Sequence, residues 1–119
     1  SINLLNDMDA FENNKKILIL GDMLELGKFS REYHIKIARF INKTNINLVF
    51  CSGKRMKYMW DNLSKNKKGA FAENPEELIK PLTEKIINND ILLLKGSSNS
   101  KIKIILSYLN NENLIREIA

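Results

Sequence analysis

The chain has 119 residues, 44% of them hydrophobic and 28% charged, enough for one domain with a true core and too apolar for a disordered polymer. Its net charge is +5, but the lysines are spread over 15–16, 54–57, 65–68 and 101–103 with few aromatic residues between them, so no nucleic-acid partner is expected. One cysteine, Cys51, excludes an internal disulfide and suits a reducing compartment; no apolar run reaches the roughly 18–20 residues that span a bilayer, so no membrane is expected either.

In chain order, Ser1 stands at a helix entry. Ile17 to Leu20 form a short apolar run stopping at Gly21, which reads as a buried strand. Ser30 is a plausible N-cap for a helix to about Lys43, with Tyr33, Ile37, Phe40 and Ile41 at helical spacing. Leu48 to Cys51 form a second strand ending at Ser52–Gly53, and Gly53 opens a helix carrying Met56, Met59, Trp60 and Leu63 on one side. Ala70 to Ala72 is a shorter strand. Asn74, Pro75, Glu76 and Glu77 make a strong helix start, with Leu78, Ile79, Leu82, Ile86 and Ile87 inward and Pro81 an early blemish. Ile91 to Leu94 form another strand, ending at Lys95–Gly96. The last helix runs from about Ser100 to Leu109, with Ile102, Ile105, Leu106 and Leu109 inward.

Strands alternating with helices predict an α/β fold: a mostly parallel sheet with helices on both faces, as one domain over 1–119. In such sheets ligands lie beyond the carboxyl ends of the strands, which here are Gly21–Asp22, Ser52–Gly53 and Lys95-Gly96-Ser97.

Two of these loops carry candidate chemistry. In Gly21-Asp22-Met23-Leu24-Glu25-Leu26-Gly27 two glycines bracket the acids Asp22 and Glu25; they can orient an amine, hold a cation or meet another domain, or else Asp22 caps a turn and Glu25 is solvated. In Lys95-Gly96-Ser97-Ser98-Asn99-Ser100 a cation precedes small polar residues and a helix start, which suits a carboxylate or phosphate, or else a serine-rich capping turn. It is not a P-loop, because the lysine precedes the glycine. His34 has no partner at ligand spacing, so no metal site is expected; Cys51 reads as a buried inert thiol, and the Met56, Met59 and Trp60 stripe as core. No nucleophile–base pair, dinucleotide fingerprint or Walker motif is present, so no catalytic residue is assigned within the chain.

The run from Ile17 to Gly27, followed by Ser30 and His34, resembles the strand and Gly-Asp-Met-x-Glu-Leu-Gly motif of the D-alanyl-D-alanine-adding Mur ligases. Cys51-Ser52-Gly53-Lys54, the stretch from Phe71 to Leu78, and Leu93-Leu94-Lys95-Gly96-Ser97 are similar to later turns of that family, in the same order. Ser1-Ile2 fits the family's Ser-Met, so the resemblance covers essentially the whole chain. Ser98 departs from it, standing where the family usually has arginine, and so do Ile102 and Lys103, in place of a Met-Glu pair; either Lys101 or Lys103 compensates, or this loop handles substrate differently from that of its relatives.

The resemblance implies a Rossmann-like three-layer sandwich and a fragment of a three-domain enzyme of cytoplasmic peptidoglycan precursor synthesis. Its partners would be the N-terminal and central domains of the same ligase, D-alanyl-D-alanine and UDP-N-acetylmuramoyl-tripeptide, in a monomer. ATP and Mg2+ would be bound mainly by the central domain, with no cofactor in this fragment, which is expected to be inactive alone. Lys95, Gly96 and Ser97 would hold the dipeptide carboxylate, and Asp22 and Glu25 would position its amine. The competing reading is a free-standing Rossmann-like small-ligand-binding module.

Overall fold

The computed structural model describes residues 2–22, 30–97, 100–109 and 114–118. Five parallel strands, β1 (Lys16–Leu20), β2 (Leu48–Ser52), β3 (Lys68–Ala72), β4 (Ile91–Lys95) and β5 (Leu114–Ile118), lie in the order β3-β2-β1-β4-β5. The α/β fold with helices on both faces is therefore as expected, and every described strand pair is parallel. Strand order reverses at β1, so the switch point lies between β1 and β4, where Leu20 pairs with Lys95.

β1 explains why the apolar runs are so dense. It is flanked by strands on both edges and covered on both faces, and Ile17, Leu18, Ile19 and Leu20 are all fully buried. Each such side chain contributes about 2–3 kcal/mol on burial. Alternation sends Leu18 and Leu20, with Ile91 and Leu93, to a layer made by α1 (Ile2–Asp7), α2 (Ser30–Asn42) and α3 (Lys57–Asn62). Ile17 and Ile19, with Leu92 and Leu94, face α4 (Ile79–Lys85) and the 3₁₀ segment Ile102–Tyr108.

The helices depart from expectation in ways that sequence physics explains. On α2 the buried stripe is His34, Ala38 and Ile41, while Tyr33 and Phe40 are exposed. Both sets have helical spacing, and the packed face is turned by about one residue from the expected one. Met56 and Met59 are fully buried, in keeping with a core stripe, but the segment opens as a 3₁₀ turn, Lys54–Met56, before α3. Similarly, Pro75–Leu78 is 3₁₀ and α4 begins only at Ile79. Pro81 accounts for this, because it has no N–H to give to the carbonyl of Glu77 and its ring crowds that carbonyl. α4 stops at Lys85, which leaves Ile87 exposed rather than inward as expected. The final segment buries Ile102 and Ile105 as expected, but with 3₁₀ geometry.

The amino end of the sheet is closed by polar groups that are nearly all satisfied. Asp90 is fully buried and accepts from the Lys15 and Ile87 N–H groups at 2.9 Å and from the Asn14 amide at 2.8 Å, with the Lys15 ammonium at 3.0 Å. Two lysines counted in the positive charge are spent here as well. Lys16 donates to the Asn6 carbonyl and Asn45 Oδ1, and Lys67 donates to the carbonyls of Thr44 and Ile46. Burial lowers the affinity of the Lys67 ammonium for its proton.

Burial alone would raise the Asp90 carboxyl, but the hydrogen bonds from Asn14, Ile87 and Lys15 outweigh it and hold it below its ordinary 3.8. A depressed carboxyl stabilises the fold above the unfolded value and loses that contribution as pH falls through the folded one. Asp90→Ala, which strands two backbone N–H groups, is expected to cost about 3 kcal/mol at neutral pH by urea denaturation. The difference from wild type should shrink below about pH 4. Burial likewise pushes the Cys51 thiol up to about 12, so native protein should resist a thiol reagent that reacts with urea-unfolded protein.

Candidate functional site

At the carboxyl edge the β1 and β4 loops are tied together. The Gly21 N–H donates to the Lys95 carbonyl at 2.9 Å, and the Ser97 N–H and hydroxyl both donate to the Asp22 carbonyl, at 3.1 and 2.9 Å. Ser100 sits over the junction, its hydroxyl donating to the Ser97 carbonyl. A Cβ on Gly21 or Gly96 would lie within 2.8 Å of the Ser100 side chain, so close approach of the two loops requires glycine at both positions.

With its carbonyl held by Ser97, Asp22 turns its carboxylate against Gly53, at the end of β2. Gly53 has φ +106°, and a Cβ there would overlap the Asp22 carboxylate. Asp22 Oδ1 is buried with no hydrogen-bond partner among the described residues. Desolvation raises the Asp22 carboxyl above its ordinary 3.8; the Arg55 guanidinium, the His34 imidazole and the Arg55 N–H directed at it offset only part of this. The carboxylate borders a cavity of about 300 Å³ formed with Ser52 and Gly53, Glu73 to Pro75, and Ser100 and Lys101.

Asp22, Lys95, Gly96 and Ser97 therefore share one edge of the sheet, but they do not share one cavity. Lys95 continues the alternation of Ile91 and Leu93, which places it on the α2 side. There it lines a second cavity of about 260 Å³ with Ile2, Tyr33, Ile37 and Phe40. The donors of Ser97 are engaged by Asp22, so they do not form the expected carboxylate cradle. Glu25 and Ser98 lie outside the described residues. Sequence reasoning gave no site role to Glu73, which it placed only within the Phe71–Leu78 stretch, or to Arg55, which lies in no motif. It also gave no role to His34, which is fully buried and within electrostatic reach of Asp22.

Among the described residues, no group of three or more His, Cys, Asp or Glu side chains could hold a metal ion, and no helix is long and apolar enough to cross a membrane.

Residues 2–98 match the family described as "Mur ligase, glutamate ligase domain". The chain belongs to this family. This Mur ligase domain is 36% identical, over 94% of its length and 23% of the relative's, to the UDP-N-acetylmuramoyl-tripeptide--D-alanyl-D-alanine ligase of Buchnera aphidicola subsp. Baizongia pistaciae (strain Bp). It is 33% identical to the ligase of the same name from Rickettsia prowazekii (strain Madrid E), over 80% of this chain and 21% of that one. The MurF ligase of Thermotoga maritima, solved in complex with ADP, superposes with a TM-score of 0.66 at 25% identity, over 80% of this chain and 21% of that chain. The Mur ligase domain thus spans about a fifth to a quarter of the length of these relatives. The match favours a ligase domain over a free-standing small-ligand module.

Asp22 bears a raised carboxyl, so its ionised form costs stability above the folded value, and that cost disappears as pH falls toward the unfolded 3.8. Asp22→Asn should raise the stability of this chain near pH 7, by roughly a few tenths of a kcal/mol once solvent screening of this partly exposed group is allowed for. By thermal denaturation the gain should vanish below about pH 4.

Proposed function

We propose that this chain is the C-terminal domain of an ATP-dependent ligase that adds D-alanyl-D-alanine to UDP-N-acetylmuramoyl-tripeptide, acting as a cytoplasmic monomer. The observation carrying this reading is the match at 36% identity over 94% of the chain to a relative bearing that name. We assign ATP and Mg2+ mainly to another domain of the same protein; the likeness to a MurF ligase solved in complex with ADP supports the use of ATP. ATP bound there supplies the activation of the tripeptide carboxylate as an acyl phosphate.

The part left to this chain is to deliver the amine nucleophile. Asp22, with a desolvated carboxylate whose Oδ1 has no described partner, is suited to accept a hydrogen bond from an N–H of the incoming amine and so to aim its lone pair. Glu25 is assigned to the same loop's contact with amine or neighbouring domain. Gly96 and Ser97 fix the loop that holds Asp22 in place. Lys95, on the α2 side of the same edge, supplies a cation toward the negatively charged substrate or the adjoining domain.

The test is amine-dependent phosphate release by the intact ligase containing this chain, given ATP, Mg2+ and UDP-N-acetylmuramoyl-tripeptide. D-Alanyl-D-alanine should support turnover with kcat/KM at least about 100-fold above that for D-alanine or D-glutamate, the discrimination expected when buried polar groups are left unpaired by the wrong substrate. A preference for a single amino acid would replace this assignment with another member of the family.

A further inference from the structure

The cavity beside Asp22 carries charge of both signs. Asp22 and Glu73 are its carboxylates, and Lys101 is the one cation among the described residues that line it. Lys95 cannot be that cation, because it lines the other cavity on the α2 side. Lys103, the other candidate from the sequence, is exposed and is not among the residues lining this cavity.

Lys101 also has an unusual backbone. Its φ of 56° and ψ of 23° are left-handed, a conformation that glycine adopts freely and a residue with a Cβ adopts at a cost. The neighbours impose it. Ser100 is seated against Gly21 and Gly96, Ile102 is buried immediately after, and the Lys101 carbonyl accepts from the Ile104 N–H at 3.1 Å. A glycine would serve the turn better, so what lysine adds at this position is a cationic side chain on a residue that lines the cavity.

A pocket with carboxylates and an ammonium is complementary to a zwitterion, a small peptide or amino acid with a free amine and a free carboxylate. We infer that Lys101 anchors the carboxylate of the incoming amine substrate while Asp22 faces its amine, so that Lys101 sets the requirement for a free C-terminus. The inference rests on the ligase reading above and adds a residue to it. Two residues of extended chain reach about 7 Å, a length that a cavity of this size accommodates.

The experiment compares D-alanyl-D-alanine with its C-terminal amide as substrates for the intact ligase, in wild type, Lys101→Gly and Lys101→Arg. Wild type should favour the free carboxylate by about 10- to 100-fold in KM, the worth of one charge-assisted hydrogen bond, with a smaller change in kcat. Lys101→Gly should lose that preference while melting no lower than wild type, because glycine relieves the left-handed backbone, and Lys101→Arg should keep it. If the glycine variant does not fold, Lys101→Asn takes its place, since asparagine tolerates this backbone. Wild-type indifference to the amide, or a glycine or asparagine variant that still discriminates as wild type does, would overturn the inference. If the ligase instead uses another amino acid, the reading of its substrate fails; the same comparison with that amino acid and its amide then decides the role of Lys101.

Discussion

One main-chain oxygen organises the carboxyl edge of this sheet. The carbonyl of Asp22 accepts both donors of Ser97, joining the loop after β1 to the loop after β4 at the point where strand order reverses. Held on that side, the residue has its side chain turned toward Gly53, where the absence of a Cβ and a positive φ leave room for the carboxylate. The carboxylate loses water there, and Oδ1 gains no described hydrogen bond in return. The Asp22 wall of the cavity and its negative charge follow from that arrangement.

The two ends of the sheet treat aspartate in opposite ways. Asp90 at the amino end is surrounded by donors from three residues, and its carboxyl is driven down. Asp22 at the carboxyl end is desolvated with too few partners, and its carboxyl is driven up. The first arrangement consolidates the fold. The second leaves an anion that a cationic ligand group would satisfy, as expected where stability is given up for binding. Both residues sit at ends of the same two strands, so the rigid end supports the geometry of the strained one.

The sheet was legible because a strand buried on both faces must be apolar throughout, and Ile17–Leu20, Leu48–Cys51 and Ile91–Leu94 are. β5 was not legible: Arg116 and Glu117 interrupt its apolar residues, and it forms an edge, where such interruption is tolerated. The turn of α2 was ambiguous because two apolar stripes share helical spacing, and only packing chose between them. The candidate site was legible as a set of loops. Its division into two cavities was not, since alternation along β4 tells that Lys95 shares a face with Leu93, but not which face borders Asp22. Lys101 was legible only as one of a pair with Lys103; the choice between them was not, because it lies in a backbone conformation and a cavity lining rather than in a motif.

The central claim is that the Asp22 carboxylate awaits the amine of the incoming substrate. It is tested most directly by a crystal structure of the intact ligase with D-alanyl-D-alanine and a non-hydrolysable ATP analogue bound. The account predicts the dipeptide nitrogen about 2.7–3.2 Å from an Asp22 carboxylate oxygen, within the cavity bounded by Gly53 and Ser100. A dipeptide bound elsewhere, with Asp22 contacting only protein, would contradict it.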